Sequence, residues 1–399
     1  MGHSSFLPLR EGALAREERE RANGETRYAP ALLAVTRLTV TNFRSYAAAE
    51  LSTAGCAVVL AGPNGAGKTN LLDAISLLAP GRGLRGAKLA EHVRKGPMAP
   101  SEALWAVAAT VKRSETDYEI GTGLSEQSSS RHVRLNGVEA KGSAELGEIV
   151  QMVWLTPAMD RLFIESASGR RRFLDRLVLG FDASHARAAT RYETAMRERA
   201  RLLKYGPRDP GWLDGLENEM AEAGILVAQA RQAAVARLNG ALAVRVGAFP
   251  AAALTLAEES YADSDALRDA LARSRIRDAE SGRTLVGPHL TDLIARHVQK
   301  RADARDCSTG EQKALLISVM LAFARELTQA RDGLAPLLLL DEVAAHLDAM
   351  RRDALFEEIA DLKAQAWMTG TDLSLFENAR AQIFDVRDGT FREVGCEGA

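Results

Sequence analysis

The segment Gly62-Pro63-Asn64-Gly65-Ala66-Gly67-Lys68-Thr69 sets three glycines, an ammonium and a hydroxyl at the spacing of a phosphate-binding P-loop. Glycines keep such a turn small enough for backbone N–H groups to wrap a polyphosphate at a helix N-terminus. Lys68 then reaches the outer phosphates as a point charge, and the Thr69 hydroxyl is a ligand for Mg2+. About 270 residues further on, the apolar run 336–340 ends in Asp341-Glu342. A run of this kind reads as a central buried parallel strand that delivers two carboxylates to its end. Asp341 would hold the Mg2+, usually through water, and Glu342 would orient or deprotonate an attacking water. Taken together, these residue types supply what phosphoryl transfer from a nucleoside triphosphate requires.

Positioning these groups takes a strand, a tight turn and a helix in succession. The apolar run 56–61 supplies the strand, and Asn70-Leu71-Leu72-Asp73-Ala74-Ile75 has the helical pattern. Upstream, residues 35–43 alternate apolar and polar side chains as a half-buried strand does, and Arg44-Ser45-Tyr46 turns the chain. Residues 103–111 and 116–120 are β-rich and 131–138 runs into an Asn136-Gly137 hairpin turn, so a small antiparallel sheet is expected. Residues 150–155 read as a buried strand ended by Thr156-Pro157. Gln151, beside that strand, has two readings, a nucleotide-sensing glutamine or an ordinary strand residue, and the second is the simpler.

From 169 to about 248 the composition turns to Ala, Arg, Glu and Leu at helical spacing, interrupted over 205–211. A helical hairpin or small bundle is expected, with arms of about 35 residues, roughly 50 Å each, and a broken heptad pattern. Arg170, Arg171 and Arg172, and further on Arg197, Arg199, Arg201 and Lys204, gather positive charge. A face that meets phosphates and a solvated face balanced by Glu193 and Glu198 both fit that pattern.

The chain has 399 residues, 46% of them hydrophobic, enough for two lobes and a sizeable core. With 51 basic and 53 acidic residues its net charge is -2, so any nucleic-acid contact must be local. Cys56, Cys307 and Cys396 are odd in number and widely separated, without the spacing of a disulfide framework or a zinc site, which fits a reducing cytosol. No apolar run approaches the about 20 residues of a membrane-spanning helix, and the charged stretch 10–21 is unlike a secretory signal. A cytoplasmic protein with no membrane contact is expected. Residues 1–33 mix charge with Gly, Pro and Ser and read as a disordered extension.

Ser308-Thr309-Gly310-Glu311-Gln312 opens an apolar helix over 313–327. Locally it fits a Ser-x-x-Glu capping box, and its hydroxyl, glycine amide and helix N-terminus also suit a phosphate. Placed between the P-loop and Asp341-Glu342, it resembles the signature loop of ABC-type ATPases, where the loop of one subunit completes the nucleotide site of another. Asp348 matches the D-loop of that group. Residues 369–371 fall where transporters of the class carry a histidine, and none is present. The resemblance narrows with Leu38-Thr39-Val40-Thr41-Asn42-Phe43-Arg44-Ser45-Tyr46, the P-loop with Asn70, Arg171-Arg172-Phe173-Leu174-Asp175 and Val286-Gly287-Pro288-His289. Together these are similar to the RecF family of bacterial recombination-repair ATPases, over about 35–394. Two places depart from the family pattern: Thr309 and Glu311 in the signature, and Leu290-Thr291 where a basic residue is expected after Gly-Pro-His.

The resemblance implies an α/β fold, an ABC-type P-loop ATPase head with an antiparallel β subdomain and an inserted α-helical lobe. The division it implies is the extension at 1–33, the N-terminal part of the head at 34–168, the helical lobe at 169–280 and the C-terminal part of the head at 281–395. It implies a weak, DNA-stimulated, Mg2+-dependent ATPase that dimerises on ATP. The DNA would be gapped duplex or a single-strand/double-strand junction, and with RecO and RecR the protein would promote RecA loading. Gly62, Asn64, Gly65, Gly67, Lys68, Thr69 and Asn70 would bind the nucleotide, with Arg44 near it. Thr69 and Asp341 would hold Mg2+, and Glu342, with Lys68 and Asp341, would carry catalysis. Ser308, Gly310, Gln312 and Asp348 would act across the dimer. Two rivals use the same chemistry. A transporter's ATP-binding subunit places its signature loop much nearer the P-loop than the 240 residues between Lys68 and Ser308. An SMC-type chromosome or break-repair ATPase needs arms of hundreds of heptad-patterned residues. A non-hydrolysing scaffold is disfavoured by Glu342.

Overall fold

Strand β1 (Leu33–Phe43) buries alternate residues over 38–42, the consequence of side chains pointing to opposite faces at successive positions, and is buried on both sides at its ends. It belongs to a computed structural model that describes residues 30–97, 103–125, 130–206, 210–243, 248–257 and 260–394. Two compact units divide the chain, one of 1–154, 335–345 and 355–399, the other of 155–334 and 346–354. The expected extension at 1–33 lies mostly outside the described residues; of its last four, Ala31 N–H donates to Gly55 O and Leu33 opens β1.

In the first unit β1 joins β2 (Tyr46–Ser52), β4 (Ala103–Arg113), β5 (Thr116–Ser125), β6 (His132–Leu135) and β7 (Val138–Glu139) in an antiparallel sheet of order β2-β1-β4-β5-β6-β7. The β6–β7 hairpin turns at Asn136 and Gly137, with φ of 50° and 81°, the left-handed pair that an Asn-Gly turn supplies. The second sheet holds β3 (Ala57–Ala61), β8 (Met152–Leu155), β12 (Leu337–Leu340), β13 (Ala366–Gly370), β14 (Ala381–Arg387) and β15 (Thr390–Glu393) in the order β15-β14-β3-β13-β12-β8. Within it β14, β3, β13 and β12 run parallel, so their C-terminal ends come out on one side. All four residues of β12 are buried, as a strand covered on both faces requires. The two sheets are tied by Gln365, whose side-chain amide accepts from Val35 N–H at 2.8 Å and donates to Val35 O at 3.0 Å. Helix α1 (Lys68–Ser76) follows β3 and buries Leu71, Leu72, Ala74 and Ile75; α2 (Leu146–Ile149) is a single turn before β8.

The second unit is built on α3 (Ala167–Phe181), α4 (His185–Tyr205), α5 (Pro210–Ala243), α6 (Ser264–Ser281) and α7 (Thr309–Gln329), with α8 (Ala349–Asp361) beginning in it. A three-stranded antiparallel sheet of β9 (Ala252–Ala257), β10 (Asp292–His297) and β11 (Ala302–Asp303) accompanies the helices. The first expected arm is broken. Asp182 leaves the helical conformation and its carboxylate accepts from Ser184 N–H at 2.8 Å, a local bond that competes with helix continuation. The second arm, α5, is continuous for 34 residues. Tyr192, Met220, Ala223, Leu267 and Leu271 are among the residues of a core shared by α4, α5 and α6.

Arg199 lies in this interior rather than on a charged surface. It is fully buried, donating to Glu217 at 2.8 Å, Asp278 at 2.6 Å and Leu271 O at 2.8 Å. Segments 171–175 and 286–289 also meet here. Asp175 accepts from Arg231 Nε at 2.8 Å and Nη2 at 2.9 Å, and Arg231 Nη1 donates to Pro288 O at 2.6 Å. His289 Nε2 faces Thr284 O at 2.9 Å, so the proton sits on that nitrogen and Nδ1 accepts from the Tyr192 hydroxyl at 2.7 Å. Burial first, and Arg171 and Arg231 besides, hold the His289 ring below its ordinary pKa and therefore neutral. Arg170 grips Asp292 through two bonds of 2.7 Å, and Arg171 donates to Thr291 O at 2.9 Å. The last contact uses backbone, so it is indifferent to the side chain that stands at 291.

Candidate functional site

Strand order decides which side chains meet. β13 lies between β3 and β12, so the residues just past these three ends, the P-loop, Thr369-Gly370 and Asp341-Glu342, come together in the first unit. Gly62 N–H donates to Gly370 O at 3.2 Å. A Cβ on Gly62 would lie 2.2 Å from Val386 O and one on Gly67 would lie 2.5 Å from the Tyr46 hydroxyl, and both residues have positive φ. Only glycine fits either place.

Thr69 Oγ1 donates to Asp341 Oδ1 at 2.8 Å, and Thr369 Oγ1 donates to the same oxygen at 2.8 Å. The Thr369 oxygen in turn accepts from Glu342 N–H at 2.9 Å. Glu342 has φ of 51°, a left-handed conformation that a non-glycine residue keeps only where its surroundings hold it. Lys68 is buried and its ammonium donates to Gly62 O at 2.6 Å and Pro63 O at 2.9 Å. Burial lowers the Lys68 pKa, opposed by the negative charge of Glu342 and Asp341. Asn64 and Gly65 line an open cleft of about 1270 Å³ whose other wall comes from Thr371, Asp372 and the β14–β15 hairpin. That wall, like the role of Thr369, was not anticipated from sequence.

Asn70 donates to Ser45 Oγ at 2.9 Å, which ties α1 to the turn after β1. Arg44, in the same turn with φ of 52°, pairs with Asp73 of α1 at 3.0 Å and donates to Glu91 O at 2.9 Å. Burial pushes the Asp73 carboxyl up, but His92 and Arg44 outweigh it and hold it below the usual range. Gln151 Nε2 donates to Gly147 O at 2.9 Å, a local bond within its own segment.

Ser308, Gly310, Gln312 and Asp348 belong to the second unit. Ser308 caps α7 in a reciprocal box with Glu311, which accepts from Ser308 N–H at 3.1 Å. Lys300 first, and Ser308 next, hold the Glu311 carboxyl down to about 2. A Cβ on Gly310 would meet nothing within 4 Å, so this glycine leaves its surface open. Gln312 is buried and donates to Cys307 O at 2.9 Å. Asp348 accepts from Arg351 N–H at 2.9 Å at the start of α8.

Chemically, Thr69 and Asp341 offer a hydroxyl and a carboxylate to one hard cation, Glu342 offers a second carboxylate beside it, and the P-loop offers an ammonium and amides to phosphate. The RecF/RecN/SMC N-terminal domain model matches residues 34–391. A DNA replication and repair protein RecF of Mesorhizobium japonicum is 48% identical over 377 residues, covering 90% of this chain and 98% of that protein. Its counterpart in Rhizobium leguminosarum bv. trifolii is 47% identical, with coverage of 91% and 100%. A solved structure described as the recombination mediator protein RecF with ATP superposes with a TM-score of 0.77 at 23% identity, covering 93% of this chain and 100% of that one, and so shares the fold. By the domain match over nearly its whole described length and by near-half identity to these relatives, this chain belongs to the RecF family.

Proposed function

We propose that the protein is an ATP-dependent DNA-binding factor of recombination repair that dimerises on ATP, recognises gapped or junction DNA, and is released by slow ATP hydrolysis. One observation carries the ATPase reading: Thr69, Asp341, Thr369 and Glu342 form a hydrogen-bonded chain beside the P-loop. Hydroxyl and carboxylate are hard oxygen donors, and Mg2+ typically takes one or two such protein ligands and fills its shell with phosphates and water. The residues therefore fit Mg2+, which when bound neutralises charge on the phosphates. Lys68 exchanges its two carbonyl acceptors for charged phosphate oxygens, which bind an ammonium more strongly. Backbone N–H groups of the P-loop and the N-terminus of α1 hold the remaining oxygens. Glu342 orients the attacking water and takes its proton. The cleft beside Asn64 takes the nucleoside.

The partner half of the site is the signature segment of a second copy, with Ser308, Gly310, Gln312 and Asp348 facing the nucleotide across the dimer. A site divided in this way makes ATP favour the dimer, because the ligand gains contacts there that the monomer lacks. The relatives' description as DNA replication and repair proteins supports DNA as substrate. The structures' description as a mediator in the RecFOR pathway supports RecO and RecR as partners, and through them RecA loading. Among the described residues no helix is long and apolar enough to cross a membrane. Work on DNA would put the protein in the cytoplasm at the nucleoid.

Sedimentation of wild type and Glu342→Gln, with and without ATP and gapped DNA, tests this. ATP should convert monomer to dimer in both, and the Glu342→Gln dimer should outlast the wild-type one. A protein that stays monomeric whatever the nucleotide overturns the ATP-driven clamp.

A further inference from the structure

Helix α4 has two faces of the same period. His185, Ala188, Tyr192, Ala195, Arg199 and Leu202, spaced three and four apart, are buried. Arg187, Thr190, Thr194, Arg197, Arg201 and Lys204 repeat at the same spacing on another side, and all six are exposed. At 3.6 residues per turn they fall within about 100° of arc and run for about 26 Å along the axis. The stripe carries four cations and two hydroxyls and no carboxylate. Glu193 and Glu198 border it on opposite edges.

Pairing and number together set these cations apart: Arg273 and Arg277 of α6 are also exposed and without an ion pair among the described residues, but they are two cations one turn apart rather than four along a helix. Arg170, Arg191, Arg199, Arg231, Arg237 and Arg275 of the same unit each hold a carboxylate. Arg187, Arg197, Arg201 and Lys204 form no ion pair among the described residues, and Arg197 turns instead to Glu193 O at 3.2 Å. Glu219 and Glu222 of α5, the acids that approach α4 from outside, are taken by Arg191 at 2.6 and 3.6 Å. Lys204 lies 4.9 Å from the Tyr205 ring centre, and that ring is 76% exposed.

We infer that this stripe of α4 is a docking surface for the DNA sugar-phosphate backbone. The inference rests on the DNA-binding function proposed above and names residues that carry it. Unpaired guanidinium and ammonium groups in a row, with hydroxyls between them, match a polymer that presents regularly spaced anionic oxygens and carries about one charge per 1.7 Å of duplex axis. A row of that length follows a backbone; a single anion needs only one turn of it. The contacts carry no base information, so recognition here is independent of sequence. With a net charge of -2 the whole molecule supplies no attraction of its own, so attraction comes from local excesses of cations such as the one on α4.

The test is a fluorescence-anisotropy titration of gapped duplex with ATP present, over about 50 to 200 mM salt, on two unrelated sequences. Arg197→Ala/Arg201→Ala/Lys204→Ala should weaken binding about 10- to 100-fold on both and flatten the log–log salt slope by about 0.9 for each phosphate left without its cation. Its melting temperature should match wild type, since the three side chains are exposed. Arg273→Ala/Arg277→Ala, which removes two exposed cations from α6, should leave affinity and slope unchanged. A triple variant that binds as wild type does, or an α6 variant that loses as much, overturns the stripe while the DNA-binding function stands. A wild-type protein that binds no DNA overturns both.

Discussion

The Thr369 hydroxyl does two things at once: it donates to Asp341 and accepts from the Glu342 N–H. A side chain at the end of β13 thereby fixes both the carboxylate that follows β12 and faces Thr69 and the backbone of Glu342, the residue proposed to activate water. Thr369→Val keeps the shape and removes both bonds. It leaves Asp341 with Thr69 alone and the Glu342 amide without its partner, an imbalance of about 1–3 kcal/mol that falls on the catalytic geometry. Turnover should drop about tenfold or more while ATP affinity changes by less than about threefold. Thr369→Ser should recover most of the loss, because the hydroxyl is what matters. Steady-state hydrolysis and equilibrium nucleotide binding read the two quantities separately, and a valine variant with wild-type turnover would remove Thr369 from the mechanism.

At the scale of elements, the P-loop and Asp341-Glu342 were legible because each is contiguous and flanked by its own strand or helix pattern. Thr369 was not, since nothing local marks a threonine that becomes important only when β13 falls between β3 and β12. The cleft wall from the β14–β15 hairpin depends on long-range pairing in the same way. The helical unit is a subtler case. In sequence Arg199 looks like its neighbours Arg197 and Arg201, yet it continues the apolar series Ala188, Tyr192, Ala195 and Leu202 at helical spacing. That phase was the available signal for a buried guanidinium. Because Arg199 holds Glu217 and Asp278 in the interior, Arg199→Met should cost about 3–5 kcal/mol by leaving buried Asp278 without its cation and Glu217 with Arg275 alone. Thermal unfolding should show the loss. The salt slope of DNA binding should not move, and a changed slope with unchanged stability would return Arg199 to the surface set.

For the molecule as a whole, the proposal with the widest consequence is that the P-loop and the signature segment of one site come from different copies. Two inactive variants can then repair each other. Lys68→Ala removes the P-loop ammonium. Gly310→Asp sets a carboxylate where a second subunit's phosphate would approach, and it does so without a clash in its own chain, since a Cβ there meets nothing within 4 Å. An acidic side chain in the first turn of α7 also suits the helix dipole, so the monomer should stay folded. Each variant alone gives symmetric dimers with both sites broken. Mixed in equal amounts, about half of the dimers pair one variant with the other. In such a heterodimer both lesions fall on one site, Lys68→Ala of one chain facing Gly310→Asp of the next, and the other site has an intact P-loop and an intact signature. About a quarter of wild-type hydrolysis should therefore return on mixing, and only with ATP at protein concentrations that support the dimer. Activity that stays at the level of the separate variants would mean that each chain completes its own site, and Ser308, Gly310, Gln312 and Asp348 would then have no part in the partner's nucleotide.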